Sequence, residues 1–395
     1  MQTLNKTPKC LALFSGGLDS MLAIKLISAQ NIAVHAVHID IGFSDDENVL
    51  NIMKERAKMA GASFERIDGR ERYLHEVLFS PQFGYGKAFN ACIDCHAFMF
   101  RMAISLLEKY GASFVISGEV VGQRPMSQRS DAMVNVKKLA NDEYDVVLRP
   151  LCAKLLAPTK PERDGLVDRE KLLSINGRSR SIQLSLAKSY GFSEWASPGG
   201  GCAFTDANFA LKLKDFTAHE MKSDENFKPN FKIPSNQGIL TNIKKRGVLS
   251  ADDSKINALD LQCLRYGRHL RLNGGAKVII GRDESENAKL SAINNPRFEK
   301  VCIQNLKGAL VLISKNASDD DMREAVRLAL TYAKSEPGKE YKAKIGDKEF
   351  SQKAFLSKQE ARKYFVICYF LFDIFLFIFF FILNFAQILK KILKF

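Results

Sequence analysis

The chain has 395 residues, more than one compact core normally organises, and its 58 Lys and Arg against 44 Asp and Glu leave a formal charge of +14, so two domains and a phosphate-bearing partner are the starting expectations. Nucleic acid is the first such partner and an anionic membrane surface the second. Eight cysteines in a chain of this length, with no signal peptide over Met1 to Lys9, exclude a secreted disulfide framework and imply a reducing cytoplasm, where the cysteines that matter are metal ligands or catalysts.

Residues Cys10 to Ser20 read Cys-Leu-Ala-Leu-Phe-Ser-Gly-Gly-Leu-Asp-Ser, an apolar strand that breaks into glycines and resumes at helical spacing from Leu18 to Gln30. A loop of this kind turns backbone N–H groups toward the start of a helix, where aligned peptide dipoles favour an anion. Residues without a Cβ let the main chain close around a phosphate. The loop is too short for the G-x-x-x-x-G-K-[ST] pattern and carries no lysine to reach a γ-phosphate. Ser15-Gly16-Gly17-Leu18-Asp19-Ser20 instead resembles the PP-loop of the ATP pyrophosphatases, enzymes that adenylate an oxygen and release pyrophosphate. That resemblance implies ATP and Mg²⁺, with Ser15, Gly16, Gly17, Asp19 and Ser20 binding pyrophosphate and metal. The bland alternative is an ordinary strand-to-helix turn with a capping aspartate.

Ile32 to Ile41 reads as a buried β-branched strand beside the first, Asn48 to Gly61 as a helix and Ser63 to Asp68 as a third strand. Alternation of this sort argues an α/β fold, a right-handed doubly wound parallel sheet. Ligands sit at the carboxyl edge of such sheets, so Ile39 to Gly42, with Asp40 among them, are expected to flank the adenine. An irregular stretch from Tyr73 to Asn90 then delivers the chain to Cys92-Ile-Asp-Cys95, at the start of a helix over Ala97 to Tyr110. Two thiols there are poised as thiolates or as ligands to a soft metal centre. A redox dithiol and two unremarkable cysteines stay open beside that reading.

Ala112 to Glu119 is the next strand, and Ser117-Gly118-Glu119-Val120-Val121-Gly122-Gln123-Arg124-Pro125-Met126-Ser127-Gln128 follows. This stretch is similar to the Thr-Gly-x-x-x-Gly-Gln-x-x-Ser-Gln signature of the ThiI family of 4-thiouridine synthetases, and Leu148-Arg149-Pro150-Leu151 matches that family's Arg-Pro-Leu strand. The resemblance covers residues 8 to 205 and implies an adenine nucleotide alpha hydrolase-like fold, with Gly118, Gly122 and Gln123 at the nucleotide. It departs from many members in lacking the N-terminal RNA-binding region and the rhodanese domain. Asp168 to Tyr190 reads as a helix whose Arg169, Lys171, Arg178 and Arg180 form a solvated face first and an RNA contact second. Three glycines then precede Cys202, a placement unusual for a core cysteine. The trio Cys92, Cys95 and Cys202 is similar to that of the PP-loop tRNA thiolases TtcA and TtuA, which implies a 4Fe-4S cluster with one open iron. A persulfide mechanism, as in the MnmA family, is the competing chemistry. The cluster is favoured because a disulfide uses two cysteines and leaves one unexplained.

Beyond Asp206 the pattern weakens, and the Pro/Asn/Lys-rich stretch from Asn226 to Asn236 marks the domain boundary. The expected organisation is an ATP-binding domain over 1–205, linker helices over 206–250, a second, smaller basic α/β domain over 251–362 and an apolar tail over 363–395. Gly281-Arg282-Asp283-Glu284-Ser285-Glu286-Asn287-Ala288-Lys289-Leu290 resembles the Gly-Arg-Asn-x-x-x-Asn-x-x-Leu core of the NFACT-R family, an RNA-associated module. Position 283 is Asp where that core has Asn, and the module's Trp- and His-containing strand is absent. Ser318 to Lys334 reads as a capped helix, acids first. Phe365 to Leu389 is almost continuously apolar and long enough to span a bilayer of about 30 Å. The lysines after it run against the positive-inside tendency for a cytoplasmic catalytic domain. A membrane-surface contact and a read-through extension are the two accounts of this tail.

Together these readings give an ATP-dependent tRNA sulfurtransferase that adenylates a uridine carbonyl and replaces its oxygen with sulfur, forming 4-thiouridine. Asp19, Cys92, Cys95 and Cys202 carry the chemistry, and a cysteine desulfurase or free sulfide supplies the sulfur. A 2-thiouridylase of MnmA type, a PP-loop ligase or amidotransferase with a non-RNA substrate, and a non-catalytic RNA-binding protein are the alternatives. The sequence is silent on oligomeric state.

Overall fold

The computed structural model describes residues 7–43, 47–196, 202–220, 256–336, 338–355 and 357–364. These form two compact units, the first from the described residues up to 206 and the second from residues 207–220 and those from 256 onward.

The first unit is built on five parallel strands, β1 (Lys9–Leu13), β2 (Ala33–Asp40), β3 (Ala62–Asp68), β4 (Phe114–Ile116) and β5 (Val147–Leu148), in the order β3-β2-β1-β4-β5. The strand read over Ile32 to Ile41 lies beside β1, with Cys10 opposite Val34 and Ala12 opposite Ala36, while β1's other neighbour is β4, with Cys10 opposite Phe114. The chain therefore winds outward through β2 and β3 and returns to the other side of β1. That reversal opens a crevice at the carboxyl ends of β1 and β4, where doubly wound sheets take their ligands. Helices α1 (Leu18–Ser28), α2 (Glu47–Ala60), α3 (Cys92–Ser105), α4 (Ser130–Leu139) and α5 (Ser181–Ser189) surround the sheet. In α1, Leu18, Met21, Leu22, Ala23, Ile24, Leu26 and Ile27 are all buried, so it is a core helix. All of them but Ala23 pack in one cluster with Cys10, Phe114, Ile116 and Leu148. Each fully buried Leu, Ile or Phe contributes about 1.5–3 kcal/mol to holding α1 in place.

The helix read over Asp168 to Tyr190 is much shorter, a single turn at Arg169–Lys171 and then α5. Between them Asn176 pairs with Val121 and Gly177 adopts φ +75°, donating its N–H to the Val121 carbonyl at 2.8 Å. A left-handed glycine tied to a neighbouring loop cannot continue a helix.

The second unit begins with α6 (Ala207–Glu220) and α7 (Ala258–Arg265) and centres on six strands, β6 (Arg268–Arg271), β7 (Lys277–Ile280), β8 (Phe298–Ile303), β9 (Val311–Ser314), β10 (Glu340–Ile345) and β11 (Lys348–Lys353). Their order is β11-β10-β8-β9-β7-β6, and every pairing is antiparallel. The helix α6, expected in the connector, joins this unit through Asp215, whose carboxylate accepts from Arg271 Nε at 3.1 Å, from its Nη2 at 2.8 Å and from Lys277. Helix α8 (Glu284–Ile293) starts on Asp283, which accepts the Glu286 N–H at 2.9 Å. Ser318 caps α9 (Asp319–Thr331), whose first turn is acidic as expected. Among the described residues no helix is long and apolar enough to cross a membrane, and the apolar tail expected from Phe365 onward lies outside them.

Candidate active site

At the carboxyl end of β1 the chain turns through Gly16 at φ +71°, and Gly17 caps α1 in an extended conformation. The Ser15 hydroxyl accepts the Gly17 N–H at 3.4 Å, and the Ser20 hydroxyl donates to the Gly17 carbonyl at 2.7 Å, so both serines brace the loop. Across the crevice, a Cβ at Gly118 would stand 2.5 Å from the Asp19 carbonyl carbon and 2.5 Å from the Ser20 nitrogen. The loops that follow β1 and β4 thus touch backbone to backbone, and only glycine permits it. Gly122, at φ +75°, turns the chain and donates its N–H to the Gln128 carbonyl at 2.6 Å. The next residue, Gln123, donates from Nε2 to Asp19 Oδ2 at 2.8 Å, and Gln183 on α5 donates to Gln123 Oε1 at 3.2 Å. Asp19 is also approached by the Arg180 guanidinium, 3.5 Å from each carboxylate oxygen.

The segment that leads to Cys202 is anchored at the same loop, since the Ala196 N–H donates to the Gly16 carbonyl at 3.1 Å. Phe204, two residues beyond Cys202, packs its ring 4.8 Å from Phe43 and 5.7 Å from Tyr73. Tyr73 is wholly buried, and its hydroxyl is hydrogen-bonded to the Cys95 thiol. Asn90 donates its amide to Cys92 Sγ at 3.4 Å. Asp94 accepts the N–H groups of Gln82 at 2.5 Å and Phe83 at 3.1 Å, pinning the irregular stretch to the start of α3. Because α3 follows β3, that start lies at the carboxyl edge of the sheet. Cys92, Cys95 and Cys202 are near enough to influence one another electrostatically. Burial first, and then the neighbouring Cys202, push the Cys95 thiol up to about 12 against the opposing bond from Tyr73. Cys202 is exposed as a residue, yet burial of its sulfur raises its thiol, with Cys92 adding to the effect. By contrast Cys10, Cys152 and Cys263 are buried core residues. Among the described residues no three His, Cys, Asp or Glu side chains stand close enough together to hold a metal ion.

Between the two groups lies a network that is fully engaged. Glu119 accepts from Arg149 Nε at 2.6 Å and from His96 Nδ1 at 2.5 Å, and the Ser127 hydroxyl is 3.2 Å from His96 Nε2. Burial would raise this carboxyl, but the Arg149 charge and the His96 bond outweigh it and hold Glu119 at about 2. The network joins α3, one residue after Cys95, to the loop that follows β4, one residue after Gly118.

Ser15, Gly16, Gly17, Asp19, Ser20, Gly118, Gly122 and Gln123 thus come together at one crevice, and the three cysteines lie within electrostatic reach of Tyr73. Asp40 is engaged by the scaffold. Its Oδ1 accepts the Gly42 N–H at 2.8 Å and the Phe43 N–H at 3.2 Å, and its Oδ2 is held by the Arg66 guanidinium, with Nε at 3.0 Å. It is a wholly buried brace of the turn after β2. Arg180, read as surface charge, is partly buried against Asp19, and Gln183 is buried completely. The one hint in the sequence is their spacing of three at a helix start, which puts both on one face. Tyr73 and Asn90 left no signal beyond their place in an irregular stretch.

Residues 6–154 match the family model described as thiamine biosynthesis protein (ThiI), and residues 267–365 match that of the NFACT protein RNA binding domain. A probable tRNA sulfurtransferase of Thermococcus kodakarensis is 30% identical over 149 residues, 35% of this chain and 39% of the relative. A tRNA-specific 2-thiouridylase MnmA of Petrotoga mobilis is 28% identical over 127 residues, 28% of this chain and 35% of the relative. The chain therefore spans under two fifths of the length of these curated relatives. A solved 4-thiouridine synthetase, in complex with RNA and ATP, aligns over 47% of this chain and 41% of its own, with 18% identity and a TM-score of 0.35.

Proposed function

We propose that this ThiI-like PP-loop protein with an NFACT-type domain is an ATP-dependent tRNA sulfurtransferase. The observation that carries the reading is the convergence, in one unit, of a glycine loop at the switch point of a doubly wound sheet and three cysteines from two distant segments. A uridine carbonyl oxygen is a poor leaving group. Transfer of AMP to it, with loss of pyrophosphate, converts it into a good one, and sulfur then displaces AMP. The loop N–H groups and the α1 dipole bind the phosphates and stabilise charge as it develops. Asp19, on the first turn of α1, is the side chain that would hold Mg²⁺. Gln123 orients that carboxylate and Gln183 orients Gln123.

Cys92, Cys95 and Cys202 would hold a 4Fe-4S cluster. The donor set fits: three sulfurs from two segments, two of them already receiving hydrogen bonds, from Asn90 and Tyr73, of the kind that tune such centres. A bound cluster would supply an open iron position for sulfide, delivered by a cysteine desulfurase or as free sulfide. The second unit, with its RNA-binding family match, is the proposed grip on tRNA. The similarity to a 2-thiouridylase keeps a second product in view, and mass spectrometry of tRNA nucleosides from a deletion strain decides between 4-thiouridine and 2-thiouridine.

The test of the loop is AMP release with ATP and tRNA, which Asp19→Ala is expected to abolish. Unchanged AMP release in that variant overturns the assignment. For the thiols, protein purified without oxygen should show broad visible absorbance that Cys92→Ala removes, and a colourless, fully active enzyme eliminates the cluster.

A further inference from the structure

A phosphate-binding loop needs cations, and this one has no lysine of its own. Two arginines stand on either side of it. Arg56, from α2, reaches toward the Gly16 carbonyl with Nη1 at 3.5 Å, and a Cβ at Gly16 would lie 3.7 Å from the same nitrogen. Arg180, just before α5, stands 3.5 Å from both oxygens of Asp19. Both contacts are long for hydrogen bonds from a charged donor, which normally close to about 2.7–2.9 Å. The Nε atoms of Arg56 and Arg180 are both buried without a hydrogen-bond partner, and so is Oε1 of Gln183, a side chain with no exposed surface.

Two arginines that brace the scaffold behave differently. Arg149 closes on Glu119 at 2.6 Å, and Arg271 reaches Asp215 through Nε at 3.1 Å and Nη2 at 2.8 Å. Burying a guanidinium N–H without a partner is costly and is seldom kept unless something else fills the gap. A guanidinium matches a phosphate through paired N–H donors. The positions of Arg56 and Arg180, flanking a loop whose backbone already favours an anion, fit one with two linked phosphates.

We propose that Arg56 and Arg180 are the cations of the phosphate site and clamp the pyrophosphate portion of the bound nucleotide, in place of the missing loop lysine. This rests on the reading of the loop as an ATP site. When the anion arrives, Arg180 turns from Asp19 to the phosphates and frees the carboxylate.

The test is equilibrium binding of ATP, inorganic pyrophosphate and AMP to the full chain, with Arg180→Gln, Arg56→Gln and Arg180→Lys beside the parent. Loss of a charged hydrogen bond predicts that each glutamine variant binds ATP and pyrophosphate about 10- to 100-fold more weakly. AMP, which lacks the two outer phosphates, should bind within about threefold of the parent, also reporting that the variant is folded. Arg180→Lys keeps the charge but not the fork, and should fall between parent and glutamine. Parent-like binding of ATP and pyrophosphate by both glutamine variants overturns the clamp and leaves the ATP site standing. An equal loss for AMP also overturns it, since that marks a general collapse of the loop. If the parent binds none of the three, the reading of the loop and the clamp fall together.

Discussion

The first two strands of the parallel sheet each end near an aspartate, and the two carboxylates are treated in opposite ways. Asp40, the last residue of β2, is wholly buried, and its oxygens are taken by two backbone N–H groups and the Arg66 guanidinium. Asp19, after β1, has one good bond, from Gln123, and a long approach from Arg180. Completeness of hydrogen bonding separates scaffold from site here, where residue type and position at the sheet edge do not. The largest effect is therefore expected at Asp40. Asp40→Ala strands two backbone donors and a partly buried guanidinium and should cost about 3–5 kcal/mol in denaturant unfolding. Asp19→Ala should cost less than about 1 kcal/mol while removing AMP formation. Equal losses of stability would erase the distinction.

Glu119 extends the same contrast to pH. With its carboxyl held at about 2 against an ordinary value near 4.5, the folded state binds the proton less readily than the unfolded chain. Its stabilisation is then complete above about pH 4.5 and is lost as pH falls toward 2, an effect of about 3 kcal/mol. Glu119→Gln imitates the protonated form. It should be less stable than the parent at neutral pH and converge on it as pH drops through that window. Stability curves that stay parallel from pH 5 to 2 would show that Arg149 and His96 do not hold the charge in solution.

Much of this was legible in the residues because local rules and tertiary structure agree. The glycine loop, the second strand beside β1 and a helix close after Cys92 follow from apolar periodicity and backbone permissiveness, though that helix runs Cys92–Ser105 instead of Ala97 to Tyr110, and Gly118 and Gln123 follow from a resemblance to ThiI. What periodicity does not carry is the partner of a charge. Asp40 reads as a residue at a sheet edge, and nothing in the periodicity shows that Arg66, 26 residues on, holds its Oδ2. Arg180 looks like surface until the break at Asn176 and Gly177 shortens the expected helix and brings it to Asp19. The approach of Cys202 to within electrostatic reach of Cys92 and Cys95 goes with the packing of Phe204 against Tyr73, a contact between segments more than a hundred residues apart.

A smaller effect should come from Gly118, where the scaffold sets the position of Asp19. The methyl of Gly118→Ala meets backbone at 2.5 Å, and backbone cannot rotate aside, so the start of α1 must shift. A loss of about 1–3 kcal/mol is expected, accompanied by a fall in AMP formation larger than the stability change alone produces, since catalytic geometry is intolerant of shifts near 1 Å. A stable, fully active Gly118→Ala protein would mean that the two loops separate freely and that Asp19 owes its place to Gln123 alone.

The smallest effect is expected in the second unit, at the position where the NFACT-R core has Asn and this chain has Asp. Asp283 is exposed and accepts one backbone N–H, that of Glu286 at 2.9 Å, at the start of α8. Aspartate and asparagine cap helices about equally well, and only the modest attraction of a negative charge to the helix dipole distinguishes them. Asp283→Asn should therefore change unfolding stability by less than about 0.5 kcal/mol. It also removes one negative charge, which would otherwise repel phosphates. If this surface lies against RNA, the variant should bind tRNA slightly more tightly at low salt, with the gain disappearing as salt is raised. Weaker tRNA binding by the asparagine form would instead mean that the carboxylate itself contacts RNA and that the departure from the family's residue carries specificity.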